Sequence, residues 1–219
     1  MSDAIRVGLV GFGYASKTFH APLIGGTPGM ALKAVASSDA DKVHADWPGV
    51  KVMSAPGDLL DDPDIDLVVI ATPNDTHFPL AKAALEAGKH VVVDKPFTVT
   101  LSQARELESL AKHCGRILSV FHNRRWDSDF LTVSALINEG QLGEVCYFES
   151  HFDRFRPQVR QRWREQAGPG SGIWYDLAPH LLDQVVVLFG LPVSITVDLA
   201  QLRPGAQSTD YFHAVLAYP

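Results

Sequence analysis

The chain has 219 residues, is 46% hydrophobic and carries a formal net charge of −6. That is too long for one small domain and short for two large ones, and it allows sizeable cores. The acidic balance argues against nucleic acid or an anionic membrane as the main partner, and no apolar run approaches the roughly 20 residues that span a bilayer.

The N-terminal stretch MSDAIRVGLV, with charged Asp3 and Arg6, lacks a signal-peptide layout, so a cytoplasmic protein is expected. Ile5–Val10 predicts a first strand, and a helical stretch near Ala15–Ile24 follows the glycines. Ala31–Ala36, Lys51–Met53, Leu67–Ala71, His90–Val93 and Ile117–Phe121 predict further strands. Near-continuous Val/Ile/Leu runs with helices between them imply a parallel sheet covered on both faces. Asp75 or Thr76 is placed to cap the helix containing Leu80 and Leu85. Thr100 and Gln103 fit a capping box, with Gly115 placed to end that helix.

The pattern then changes. A helix is expected over Ser128–Glu139, a half-buried alternation over Val145–Phe152, a helix near Leu177–Phe189, and strands at Val193–Leu199 and Tyr211–Tyr218. This is an α+β pattern with antiparallel character, and a domain boundary is expected near Asn123. A chain that stops just after a strand reads as part of a longer one. Cys114 and Cys146 sit in no metal-ligand spacing and read as reduced packing residues. No metal is expected. Trp126 and Trp174 read as packing residues too.

Four stretches carry chemistry. In VGLVGFGYAS, a strand ends at Gly11-x-Gly13-x-x-Ser16 and a helix follows. Glycines permit a sharp turn and close approach to a pyrophosphate, with Gly11, Phe12, Gly13, Tyr14 and Ala15 as the binding loop. A plain tight turn is the competing explanation. The second strand ends in Ser37 and Ser38, with Asp39 beyond them. Small hydroxyls at this tip accept a 2′-phosphate and an acid there repels it, so NADP is favoured over NAD. A solvated turn with Asp39 as a helix cap is the alternative. Thr72, Pro73 and Asn74 lie at the carboxyl end of the fourth strand, where open α/β sheets bind ligands. His77 could line that crevice, but a surface position is the preferred expectation. Lys95 and Pro96 follow the fifth strand. The proline restricts Lys95 to extended geometry, and an aimed ammonium can stabilise a developing alkoxide. An ordinary edge lysine fits the residues equally well. Asp176 and His180 stand four apart, so on a helix they share one face. By spacing alone, the simpler account makes Asp176 an N-cap, Pro179 a first-turn proline and His180 a satisfied polar residue.

Taken together, the Gly11–Ser16 fingerprint, TPN at 72–74, DKP at 94–96, NRR at 123–125 and D-x-x-x-H at 176–180 resemble the Gfo/Idh/MocA oxidoreductase family, near its NADP-linked scyllo-inositol dehydrogenases. The family more often has Glu-Lys-Pro, so Asp94 is a shortened variant. The resemblance implies an N-terminal Rossmann domain with a doubly wound parallel sheet over 1–123. It also implies an incomplete α+β substrate and oligomerisation domain with a mostly antiparallel sheet over 124–219. It implies hydride transfer between NAD(P) and a secondary alcohol of a cyclic polyol or sugar, in a homodimer or homotetramer. Lys95, often before a cis proline, would contact nicotinamide ribose and substrate. His180 would be the acid/base and Asp176 its support. His122, Asn123, Arg124, Arg125, Asp153, Arg162 and Trp163, with Arg156, are the further substrate-facing candidates, though any of these charges also suits a surface ion pair. A non-catalytic sensor of the same fold is the competing class; such proteins tend to lose the lysine or the histidine, and both are present here. A structural dimerisation module is a third option.

Overall fold

A computed structural model describes residues 4–219, so Asp3 of the N-terminal pattern lies outside the described residues. The chain forms two compact units that divide between Phe121 and His122.

The first unit is built on six parallel strands: β1 (Ile5–Val10), β2 (Met30–Ala36), β3 (Lys51–Met53), β4 (Leu67–Ile70), β5 (His90–Asp94) and β6 (Leu118–Phe121). Their order is β3-β2-β1-β4-β5-β6, the doubly wound arrangement whose order reverses beside β1. The intervening helices are α1 (Ala21–Gly26), entered through a π-type stretch Ser16–His20, then α2 (Ala40–His44), α3 (Pro56–Leu60), α4 (His77–Glu86) and α5 (Leu101–Cys114). The pleat sorts the strand residues into two apolar layers. Val68 and Ile70 of β4 join one with Leu59, Leu85 and Leu107; Val69 joins the other with Val7, Leu9 and Val35. Gly8 leaves room for Leu59: a Cβ there would stand 2.6 Å from the leucine Cδ2. Full burial of such a leucine contributes about 1.5–3 kcal/mol.

The expected capping box forms at α5, where Thr100 Oγ1 accepts the Gln103 amide and Gln103 reaches back. Gly115 closes that helix in the left-handed region at φ 61°. The expected cap on α4 does not form. A short 3₁₀ turn over Asn74–Thr76 precedes that helix, and the Thr76 hydroxyl donates to the Pro73 carbonyl at 2.7 Å.

The second unit contains a 3₁₀ turn over Asn123–Trp126, α6 (Ser128–Asn138), α7 (Gly172–Phe189) and an antiparallel pair, β7 (Ser194–Ala200) and β8 (Tyr211–Ala217). Three expectations are corrected. The half-buried alternation expected over Val145–Phe152 does not appear: only Val145, Phe148 and Phe152 are half-buried, the segment forms no regular element, and Phe148 packs edge-on against Phe189. Trp126 is 77% exposed and Cys146 is exposed, so neither is a packing residue. Finally, α7 starts at Gly172, well before the expected Leu177. Gly172 sits at φ 89° with Thr209 Oγ1 where a Cβ would go, and the Ile173 amide donates to the Thr209 carbonyl at 2.7 Å. The strand-side chain thus pins the helix start. Asp176 is therefore not an N-cap, and Pro179 lies inside the helix. Trp174 does pack, edge-on against Phe212.

Candidate active site

In the first unit, the candidates gather at the carboxyl ends of neighbouring parallel strands. Gly11 follows β1 at φ 88°, and a Cβ there would lie 2.9 Å from the Ala71 carbonyl oxygen. Only glycine suits that position. Gly13 faces open space, with nothing within 4 Å of an added Cβ. The fingerprint's third small residue, Ser16, is fully buried and donates its hydroxyl to the Gly11 carbonyl at 2.8 Å, closing the turn. Phe12 is buried in the core, so its side chain is not available to a ligand and only its backbone faces the turn. Tyr14 is exposed and Ala15 half-buried. An open backbone cradle of this kind fits a dinucleotide pyrophosphate.

At the tip of β2, Ser37 is half-buried and Ser38 exposed. Asp39 is the N-cap of α2, its carboxylate accepting the Lys42 amide at 3.0 Å. At the end of β4, Thr72 pairs its hydroxyl with that of Thr76 at 2.6 Å, Pro73 is exposed and Asn74 is buried.

His77 corrects the expectation of a surface residue. It is fully buried, with Nδ1 2.8 Å from the Pro96 carbonyl and Nε2 3.0 Å from the Thr72 carbonyl. It reaches the crevice only through the backbone it holds. Burial pushes its pKa below 6.5, and the two carbonyls oppose that without reversing it. Lys95 is half-buried and precedes a cis peptide bond to the buried Pro96.

Sequence reasoning missed a pair beside Lys95. Asp94 accepts the Lys95 amide at 2.7 Å and lies 3.3 Å from His20 Nε2, which is itself buried against the Phe121 ring. Burial alone would raise the Asp94 carboxyl, but His20 and Lys95 outweigh it and hold the carboxyl below its ordinary value. The partners lie 74 residues apart, so no local spacing announces them.

In the second unit, Asp176 and His180 share a face of α7, with His180 buried near the Phe152 ring and Asp176 3.4 Å from Arg164 Nε. The NRR turn is held by ion pairs. Arg124 bonds Asp127 at 2.6 Å and lies over Phe152. Arg125 grips Asp183 with two bonds at 2.7 and 2.6 Å, and His122 Nδ1 is 3.7 Å from the same carboxylate. Asn123 is half-buried there. Arg162 bonds Glu165 at 2.7 Å, Trp163 carries the Arg164 guanidinium over its ring, and Asp153 is exposed. Among the described residues, no three His, Cys, Asp or Glu side chains cluster as metal ligands, and no helix is long and apolar enough to cross a membrane.

Comparison with known proteins agrees with this geometry. Residues 5–122 match the model of the oxidoreductase family with an NAD-binding Rossmann fold, and residues 134–219 match its C-terminal alpha/beta domain. The chain is 80% identical over 219 residues to the Escherichia coli uncharacterized oxidoreductase YdgJ, covering all of this chain and 63% of that protein. It is 39% identical over 216 residues to the Bacillus subtilis scyllo-inositol 2-dehydrogenase (NADP(+)) IolW, covering 99% of this chain and 60% of that one. The solved structure of YvaA from Bacillus subtilis superposes with a TM-score of 0.95 at 39% identity, over 99% of this chain and 62% of that one. The chain thus spans somewhat under two thirds of these relatives. A Rossmann unit with its cradle at the switch point, and both family models matched in order, make this chain a member of the Gfo/Idh/MocA oxidoreductase family.

Proposed function

We propose that the protein is an NADP-linked dehydrogenase acting on a secondary alcohol of a cyclic polyol or sugar. The observation that carries this is the convergence of Gly11, Thr72–Asn74 and Lys95 on the carboxyl ends of β1, β4 and β5, three neighbouring strands of one sheet. A bound nicotinamide dinucleotide supplies the two-electron oxidant or reductant. The turn from Gly11 to Ala15 offers backbone amides to its pyrophosphate, and Thr72, Pro73, Asn74 and Pro96 border the same edge. Ser38 offers its exposed hydroxyl to a 2′-phosphate beside Ser37, whose own hydroxyl donates to the Asp39 carbonyl at 3.3 Å, while the Asp39 carboxylate caps α2. IolW, named as NADP-linked, supports that choice.

Lys95 donates to the alcohol oxygen and stabilises the charge that develops there. His180 takes the hydroxyl proton in oxidation and returns it in reduction, while Asp176 steadies the imidazole or a second hydroxyl. His122, Asn123, Arg124, Arg125, Asp153, Arg162 and Trp163 supply the remaining polar contacts. The same reading makes the protein a cytoplasmic homo-oligomer joined through its C-terminal sheet, whose Ile195, Leu199 and Val215 are exposed.

The test is absorbance at the reduced-nicotinamide band, with NADP+ or NAD+ and a panel of inositols, aldoses and sugar acids. Lys95→Ala and His180→Ala are each expected to lower turnover by about 10²–10⁴-fold. Undiminished turnover in His180→Ala would overturn the acid/base assignment.

A further inference from the structure

A cavity of about 350 Å³ lies wholly within the second unit. Its wall carries five arginines against three carboxylates, in a chain whose formal net charge is −6. Three of the arginines are neutralised. Glu165 accepts from Arg162 Nε at 2.7 Å and lies 3.1 Å from Arg203 Nη2. Asp210 accepts from Arg203 Nε at 2.8 Å, and Asp176 faces Arg164. Arg154 and Arg156 are the surplus: neither has a carboxylate within ion-pair reach among the described residues.

The loop bearing Arg156 is held in place. Arg203 Nη1 donates to the carbonyls of Arg156 and Gln158 at 3.3 and 3.2 Å, and Glu165 accepts the Arg160 amide at 3.0 Å. Arg203 and Glu165 thus hold the loop, while Arg154 and Arg156 line the cavity with no carboxylate beside them. Burial, then repulsion from Arg154, Arg160 and Arg162, pushes Arg156 below its ordinary pKa, and an anion would relieve that repulsion. The first turn of the 18-residue α7, at Gly172 and Ile173, lines the same cavity with the positive end of its dipole. Asp176 borders the cavity one helical turn before His180.

We propose that this cavity grips an oxyanion of the substrate through the Arg154 and Arg156 guanidiniums, so that the substrate is an acidic sugar or polyol bearing a carboxylate or phosphate. The proposal rests on the sugar- or polyol-dehydrogenase reading above and narrows it. Guanidinium forks match both oxyanions bidentately, whereas a neutral ring alcohol of the same size offers them only single, weaker hydrogen bonds.

Calorimetric titration of the 219-residue chain with galacturonate, glucose 6-phosphate and myo-inositol tests it. One of the two anions is expected to bind at least about tenfold more tightly than myo-inositol, and which one separates carboxylate from phosphate. The Arg154→Gln/Arg156→Gln double variant, with its melting temperature checked against wild type, is expected to lose the preference. Arg156→Lys should retain part of it. Equal binding of myo-inositol, no binding of either anion, or a preference that survives the double variant would each overturn the proposal. Turnover is measured separately. Anion preference without turnover on any substrate would sink the dehydrogenase reading and keep the subsite; turnover confined to neutral polyols would do the reverse.

Discussion

His77 bridges the ends of two strands, with its ring nitrogens 2.8 Å from the Pro96 carbonyl and 3.0 Å from the Thr72 carbonyl. A neutral imidazole donates to one carbonyl, and only the imidazolium donates to both. Burial decides in favour of the neutral ring. Unfolded His77 therefore takes up a proton near 6.5, and the folded form does so only at lower pH. Its stabilisation is full above pH 6.5 and is lost as pH falls below it. His77→Ala is expected to cost about 2–4 kcal/mol at pH 8, from the vacated volume and the one carbonyl that loses its donor. Urea unfolding at pH 8 and pH 5.5 checks both parts. The gap between wild type and variant should narrow at the lower pH; a constant gap would refute the coupling.

Gly11 and Gly13 stand two residues apart and are constrained by different things. An added Cβ at Gly11 meets the Ala71 carbonyl at 2.9 Å in a left-handed conformation, whereas at Gly13 it meets nothing. Gly11→Ala should cost about 1–3 kcal/mol of stability. Gly13→Ala should stay within about 0.5 kcal/mol. Both should weaken NADP binding, Gly13→Ala because its open side is where the pyrophosphate is proposed to approach. Paired melting curves and fluorescence titrations with NADP separate the effects. Wild-type affinity in Gly13→Ala would refute its part in the cradle.

Arg6 ties the start of β1 to the residue preceding β4. Its Nε and Nη2 bond the Asp66 carboxylate at 2.9 and 2.7 Å, and its backbone amide bonds the same group at 2.9 Å. These bonds, the side-chain ones foremost, hold Asp66 at a pKa of about 2 against an ordinary 3.8. The stabilisation is present above 3.8 and is lost as pH falls from there through about 2. Both side chains are about a third exposed, which discounts the contribution to about 1 kcal/mol. Asp66→Asn should show that loss at pH 7 and converge with wild type near pH 2 in acid-unfolding curves. Parallel curves would rule the linkage out.

The parallel sheet was legible because a doubly covered strand is apolar on both faces, as in Val91–Val93, and because the Thr100 box and Gly115 mark α5 with local chemistry. Several of the failures trace to distance along the chain. The start of α7 is set by Thr209, 37 residues beyond Gly172, so the local pattern placed it too late and made Asp176 a cap. The His20–Asp94 pair and the His77 brace depend on partners 74 and 19 residues away. Val145–Phe152 has strand-like alternation, but a strand also needs a neighbour.

The proposed preference for NADP rests on the tip of β2, and it can be tested by moving one charge. Ser38 is exposed, while the Asp39 carboxylate is committed to the Lys42 amide and the Asp39 amide to Ser37 Oγ at 3.2 Å. An acid placed at position 38 would face a 2′-phosphate directly and repel it, and would accept from the two ribose hydroxyls of NAD. Ser38→Asp should therefore weaken NADP binding by about tenfold or more and strengthen NAD binding. Asp39→Ala should cost about 1 kcal/mol through the lost cap while leaving the ratio of the two affinities unchanged. Titrating both dinucleotides into the three proteins decides the matter. If Asp39→Ala moves the ratio and Ser38→Asp does not, the ribose is read by Asp39, and the protein is an NAD binder.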